Sequence, residues 1–490
     1  MEHIMALARA EEAQKKMSVM AQKDYWKPQY HISAPANWIN DPNGFCYFNN
    51  EYHLFYQYHP YSSKWGPMHW GHVASKDLVN WENLPIALAP TDKYDKNGCF
   101  SGSAIEKDGK LYVLYTGHVD LDNSNGGDDR IESQCLAISE DGINFTKYKN
   151  NPVISRLPEN LNLRTEHFRD PKIWQYNNVY YAVIGAQTKQ ETGQIVVYKS
   201  LDLINWEFFN IMATSTNNEN LGFMWECPNF AQVDNSEALI LSPQGINPEK
   251  NKFLNLHQSG YFLGKMDYNT GIFKRKNDFE MLDYGFDFYA PQVMQDKKNN
   301  RCIMIGWLDM WGSEMLEQKN GWAGMMTIPR VLKVKENMIY TIPIPELKKL
   351  RKEHIHYSQK IKDEISLENV DGDCYELNVV ANLENTNKMT LKLRTSKLEE
   401  TVITYNKITK CFNLNRDKSG QALSGERKVN IDLVNNKLEL QIFSDKSSLE
   451  IFINEGQRVL STRIYPTQQA TGIKFSADNF ANMDIDFYKI

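Results

Sequence analysis

A chain of 490 residues, 41% hydrophobic and 12% aromatic, carries enough apolar material for a large core and more than one domain. Its formal net charge of −6, with no basic block, argues against nucleic acid as a partner, and no apolar run approaches a membrane span. Seven cysteines, odd in number and without a Cys-x-x-Cys pair, support neither a zinc site nor a disulfide framework and fit reduced thiols in a cytoplasmic protein.

Residues 1–24 read as a helical extension, because Glu11, Glu12, Lys15 and Lys16 interrupt the apolar core that a signal peptide needs. Next comes Trp38-Ile39-Asn40-Asp41-Pro42-Asn43-Gly44. Pro42 fixes its own φ and biases Asp41 away from the α region, and Gly44 tolerates a positive φ. A turn is the plain structural reading. The neighbouring Trp38 and Ile39, and the return of similar acid-bearing Pro motifs later in the chain, point further.

From residue 25 to about 347, short apolar and aromatic runs alternate with Gly, Asn, Asp and Pro clusters, the pattern of strands and turns. Five runs, 51–58, 110–117, 179–186, 237–244 and 301–308, start 59, 69, 58 and 64 residues apart (110−51, 179−110, 237−179, 301−237). A second marker repeats out of phase with them. It reads Ser75-x-Asp77-x-x-Asn80-Trp81, Ser139-x-Asp141-x-x-Asn144-Phe145 and Ser200-x-Asp202-x-x-Asn205-Trp206, with a degenerate copy around Asp267. A period near sixty, all strand, suits one four-stranded propeller blade with generous loops, so five copies predict a five-bladed β-propeller over 25–347. The Ser-x-Asp copies are expected as structural turns between outer strands.

A polar motif precedes each run. Asp41, Ser101, Asp170, Glu226 and Tyr289 stand 10, 9, 9, 11 and 12 residues before the run starts (51−41, 110−101, 179−170, 237−226, 301−289). Similar phase in a repeat means a similar place in the ring. Asp41, Asp170 and Glu226 are therefore expected to face one funnel, with Tyr289 in the same cavity. Their mutual repulsion costs stability, a cost tolerated where chemistry needs it.

Residues 348–360 read as a linker with a charged helical stretch, and 361–490 as a β-sandwich without clustered acids. Segments 438–442 and 449–453 form a hairpin there.

Three convergent carboxylates without metal ligands suit acid–base or covalent catalysis at carbon. One protonated and one ionised carboxyl flanking a bond is the glycosidase arrangement. Trp and Phe pack on the apolar faces of a sugar while Asn and Gln hold its hydroxyls. His53, His59, His69 and His72 lack ligand spacing and read as core or supporting groups, so neither a metal nor a cofactor is expected.

These motifs resemble glycoside hydrolase family 32. The resemblance spans nearly the whole chain and includes Trp38 to Gly44, Phe55-Tyr-Gln57-Tyr-His-Pro60, Trp65-Gly-Pro-Met-His-Trp-Gly71, Phe100-Ser101-Gly-Ser103, Phe168-Arg169-Asp170-Pro171, Glu226-Cys227-Pro228 and Phe288-Tyr289-Ala-Pro291. Within the family it is similar to the bacterial intracellular sucrose-hydrolysing enzymes. The resemblance implies a five-bladed propeller plus a sandwich, and a retaining β-fructofuranosidase acting on sucrose or sucrose 6-phosphate, a small-molecule sugar. It implies Asp41 as nucleophile, Glu226 as acid/base and Asp170 as transition-state stabiliser. Asn40, Gln57, Trp65, Phe100, Ser101, Arg169 and Trp307 match substrate-contacting positions. The mechanism asks for a protonated Glu226 with a raised pKa and a charged Asp170. Transfer of fructose to another sugar shares the same motifs. A sugar-binding propeller with a dead site is disfavoured by the presence of both Asp41 and Glu226. The choice between sucrose and its 6-phosphate turns on whether a cation stands beyond the glucose subsite.

Overall fold

In the computed structural model, which describes residues 2–121, 129–216 and 219–490, the sixty-residue period resolves into five antiparallel sheets. Their first strands are Asn37–Phe48, Gly98–Lys107, Leu163–Tyr176, Met224–Val233 and Tyr289–Asp296. Each is followed by a second strand that coincides with one of the five apolar runs: Glu51–His59, Lys110–Asp120, Val179–Thr188, Ser236–Gln244 and Arg301–Trp307. Each first strand packs against the first strand of the next sheet, and the fifth packs against the first. A short strand, Trp322–Ala323, pairs in parallel with Asn37 and Trp38 and joins the end of this region to its beginning.

The apolar runs are nearly continuous because both faces of each second strand are covered. In Glu51–His59 the alternation sends Leu54, Tyr56 and Tyr58 into one core and Phe55 into another, so a single strand helps build two inter-sheet layers. Gly44 takes φ 53°, and a Cβ there would lie 2.7 Å from the Phe55 ring.

The Ser-x-Asp turns lie between the third and fourth strands of their sheets, as expected. Asp141 Oδ1 accepts the Ile143 and Asn144 N–H groups at 2.8 Å each, and its Oδ2 accepts Asn144 Nδ2 at 2.7 Å. Asp77 and Asp202 repeat the pattern. Trp81 and Trp206 each donate an indole N–H to the carbonyl of Leu78 and Leu203. These are Asx turns carrying an aromatic plug.

Below the position of the acid-bearing motifs, polar side chains tie the first strands together. Ser103 Oγ donates to the Pro171 carbonyl (2.8 Å), Lys172 Nζ to Gln292 Oε1 (3.2 Å), Asn229 Nδ2 to the Pro291 carbonyl (2.8 Å) and Gln292 Nε2 to the Gly102 carbonyl (3.2 Å). Buried polar groups satisfied in this way fix the relative height of neighbouring strands.

The remainder of the chain forms a six-stranded and a five-stranded antiparallel sheet. The stretch 348–360 is not simply a linker. A 3₁₀ helix, Pro345–Leu350, leads into strand His354–Ile361, which pairs along its whole length with the last strand, Ala481–Lys489. The polar alternation of His354, His356 and Ser358 hid it, because only one face of this edge strand is covered. The expected hairpin is present, with strands Lys437–Asp445 and Ser448–Ile453 turning at Lys446 and Ser447.

Buried charges join the two regions. Arg330, fully buried, bonds Glu450 and Asp283; Arg463, also fully buried, bonds Asp287 (3.0 Å) and Asp309 (2.7 Å). His31 bridges Asp445 and Glu450 at 2.8 Å each. Near the N-terminus, helix Glu2–Ala21 covers the outer strand Glu82–Leu88: Glu11 Oε1 accepts the Ile86 N–H (3.2 Å), and His3 Nε2 accepts that of Ala89 (3.1 Å). Exposed strand edges invite aggregation, and a covering helix removes that hazard.

Candidate active site

Every first strand breaks its ladder at its polar motif. In the third, Arg169 pairs with Gly185 and Lys172 with Val183, so Asp170 and Pro171 oppose one residue. In the fourth, Cys227 and Pro228 bulge between Glu226 and Asn229; in the fifth, Ala290 and Pro291 bulge between Tyr289 and Gln292. Asn40 and Asp41 bulge in the first strand, opposite Gln57, and Ser101 in the second. Pro is tolerated in a strand at a bulge because the ladder is already interrupted there. Asp170, Cys227 and Ala290, each preceding a Pro, take positive φ of 67°, 45° and 49°. Such bulges re-aim side chains, and here they turn consecutive residues of one strand toward one space.

That space is a cavity of about 310 Å³. Asn40, Asp41, Gln57, Trp65, Phe100, Ser101, Arg169, Asp170, Glu226 and Tyr289 all line it. Trp65, 49% exposed, stands at the mouth. Trp307 does not line it. Its indole is fully buried behind Trp38 and Trp311, with ring centroids 5.9 and 5.1 Å away, and Trp311 forms the wall instead. Arg130, Gln244, His257 and Met68 also line the cavity and were not singled out in the sequence.

Asp41 Oδ2 accepts Ser101 Oγ at 2.7 Å, and its Oδ1 accepts Asn40 Nδ2 at 3.1 Å. The Cys227 thiol sits between two acids, 3.4 Å from Asp41 Oδ2 and 3.6 Å from Asp170 Oδ2, while the Cys227 N–H donates to Asp170 Oδ2 at 2.9 Å. Glu226 is gripped from both sides. Arg169 donates Nε and a terminal nitrogen to its Oε1 (3.0 and 2.8 Å); Tyr289 Oη (2.5 Å) and Gln244 Nε2 (2.9 Å) donate to its Oε2. Arg169 also reaches the buried Glu132 at 3.2 Å.

Glu226 is thus in phase with Arg169 and Tyr289, each the last paired residue before its bulge, rather than with Asp170, which lies inside one. Three equivalent positions on adjacent strands form one hydrogen-bonded row, and the bulges bring Asp41 and Asp170 to the same cavity one step along.

The proton distribution differs from expectation. Burial would raise Glu226, but the Arg169 guanidinium and the Tyr289 hydroxyl overcome it and hold this carboxyl below its ordinary value. Burial pushes Asp170 up to about 8, with Arg169 opposing and the Glu226 and Asp41 charges adding to the rise. Asp41 is raised by burial and by Glu226. Three carboxyls near one guanidinium titrate as a set, with Asp170 pushed up and Glu226 held down within it.

The family model for the N-terminal domain of glycosyl hydrolases family 32 matches residues 31–343, and that for the C-terminal domain matches 346–489. The chain belongs to this family. As a member of glycosyl hydrolase family 32 it is a glycoside hydrolase. A sucrose-6-phosphate hydrolase of Zymomonas mobilis is 39% identical over 98% of this chain and 94% of its own length. A Bombyx mori β-fructofuranosidase of the family has a TM-score of 0.88 at 35% identity, covering 99% of this chain and 98% of that one; a mutant of it has been solved in complex with sucrose. The sucrose-6-phosphate hydrolase of Lactobacillus gasseri also has a TM-score of 0.88, at 29% identity over 98% of this chain and 96% of that one.

Proposed function

We propose that this family-32 enzyme is a retaining β-fructofuranosidase that hydrolyses sucrose or its 6-phosphate and releases fructose. The observation that carries the reading is the convergence of Asp41, Asp170 and Glu226, from three separate strands, on one cavity with aromatic and amide groups around it. The names of the relatives support the substrate. On this reading the five sheets are the blades of a propeller spanning 25–347. The last two sheets are a non-catalytic sandwich over 361–490, to which strand His354–Ile361 also contributes. No described helix is long and apolar enough to cross a membrane, and seven cysteines without a disulfide suit a cytoplasmic location.

Asp41, oriented by Ser101 and Asn40, attacks the anomeric carbon of fructose. Glu226 protonates the departing sugar oxygen and then deprotonates water, which frees fructose with retained configuration. Arg169 and Tyr289 hold Glu226 down while burial pushes Asp170 up, so the proton that Glu226 delivers is shared within the set. Fructose hydroxyls donating to Asp170 favour the Asp170 carboxylate, and the shared proton shifts toward Glu226. Asp170 then keeps hold of hydroxyls that move as the ring flattens.

The test follows the configuration of newly released fructose by NMR in wild type and measures turnover in Asp41→Asn. Retention, with a folded Asp41→Asn that has lost nearly all turnover, is expected. Inversion, or a variant within about tenfold of wild type, overturns the assignment, since loss of the nucleophile forfeits covalent catalysis.

A further inference from the structure

A fourth carboxylate stands behind the cavity wall. Glu132, on strand Arg130–Ser139, has a fully buried side chain and does not itself line the cavity. Its Oε2 accepts the Phe168 N–H at 2.9 Å and a terminal Arg169 nitrogen at 3.2 Å. His167 Nδ1 meets the same Arg169 nitrogen at 3.1 Å. From the neighbouring strand, His118 Nδ1 lies 3.6 Å from Glu132 Oε1, and the His118 ring stacks on Phe100 with centroids 4.0 Å apart. Burial would raise the Glu132 carboxyl, but Arg169, His118 and Arg130 hold it down at about 2, so it is ionised.

Arg169 therefore stands between two carboxylates. It gives Nε and one terminal nitrogen to Glu226 and the other terminal nitrogen to Glu132. One positive charge is divided between them. With Glu226 alone to face, the guanidinium would favour the ionised form of that carboxyl more strongly, against the need of an acid that must deliver a proton. The Glu132 charge also acts on Glu226 directly and with the same sign, because a like charge favours the protonated form.

We infer that Glu132 is a positioning residue for the reaction: it draws off part of the Arg169 charge and fixes the guanidinium, and so leaves Glu226 able to carry the proton that the departing sugar takes. This rests on the fructosidase reading above, with Glu226 as acid/base. The test measures kcat and KM against pH for wild type, Glu132→Gln and Glu132→Asp, on sucrose and on a fructoside with a good leaving group, with circular dichroism to confirm the fold. Gln fills the same volume, and its amide oxygen can still accept the Phe168 N–H and an Arg169 donor, so the change is chiefly one of charge. Tyr289, His257, Asp41 and Asp170, which also act on Glu226 or respond to it, are left unaltered. In Glu132→Gln the alkaline limb of kcat on sucrose should move to lower pH by about one unit. KM should stay within about twofold of wild type, because Glu132 acts through Arg169. On that limb the shift is a loss of about tenfold on sucrose, against less than about threefold on the fructoside, whose leaving group departs without protonation. Glu132→Asp keeps the charge one methylene farther back and should move the limb less. A limb that stays within about 0.2 units in the folded variants, or moves up, overturns the inference. So does an equal loss on the two substrates, which marks general damage to the site. If Glu132→Gln does not fold, the limb of Glu132→Asp decides; failure of both to fold assigns Glu132 to folding alone and also overturns the inference. Equal losses on the two substrates in Glu226→Ala overturn the acid/base reading instead, whatever Glu132 does.

Discussion

Replacing Tyr289 by Phe tests how the cavity holds its protons. The Tyr289 hydroxyl donates to Glu226 Oε2 at 2.5 Å from a fully buried ring, so Phe fills the same space and removes one donor. A hydrogen bond to a charged group contributes about 1.5–3 kcal/mol, and 1.36 kcal/mol equals one pKa unit. Arg169 and Gln244 remain on Glu226 and share the load, so a rise of about one pKa unit is expected. The sign follows from losing a donor to the ionised form, which makes the protonated form easier to keep. The alkaline limb of kcat for a fructoside reports loss, in the bound complex, of the proton that Glu226 delivers, so that limb should move to higher pH in Tyr289→Phe. The assay is a full pH profile of both proteins, with circular dichroism to confirm the fold. A limb that stays within about 0.2 units, or moves down, refutes the role of Glu226 as proton donor.

Other outcomes are equally definite. Glu226→Ala should lose far more rate on sucrose than on a fructoside with a good leaving group, because such a group departs without protonation; equal losses, measured side by side, contradict it. His31 should make stability depend on pH. Burial alone would lower its pKa, but the hydrogen bonds its ring donates to Asp445 and Glu450 lift it from 6.5 to about 9. The pairing therefore stabilises the fold fully below the unfolded value of 6.5 and is lost as pH rises through about 9, a contribution on the order of 3 kcal/mol. Urea midpoints at about pH 6 and about pH 10 should differ in wild type and converge in His31→Gln, provided both unfold cooperatively.

Much of this was legible in the residues because the repeat writes itself five times. The apolar runs located the second strands, and the Ser-x-Asp copies located the outer turns through side-chain chemistry that needs no tertiary partner. The exact phase was less legible. Glu226 and Tyr289 stand 11 and 12 residues before their runs, against 9 or 10 for the others, and this excess is the trace of their place before the bulge. Counting from Cys227 and Ala290 instead gives 10 and 11 (237−227, 301−290). The downward pull on Glu226 is not legible in the sequence because its partners, Arg169, Tyr289 and Gln244, lie 57, 63 and 18 residues away and are joined to it only by sheet packing. Arg130 has no motif. Its place emerges only from the register that sets Glu132 against Arg169. Trp307 is adjacent in the ladder to Tyr289, yet its indole packs behind the wall, a rotation that strand phase does not specify.

The buried charge pairs between the two regions bear on recombination. A crossover between residues 343 and 346, where the two family matches meet, looks like a natural seam for exchanging halves with a relative. It would separate Arg330, Asp283 and His31 on one side from Glu450 and Asp445 on the other, and Asp287 and Asp309 from Arg463. A graft whose donor lacks one member would strand a charge in a dry interface, at about 3–5 kcal/mol for each broken pair. Halves from different parents should therefore interchange only as matched sets, with these partners inherited together across the seam.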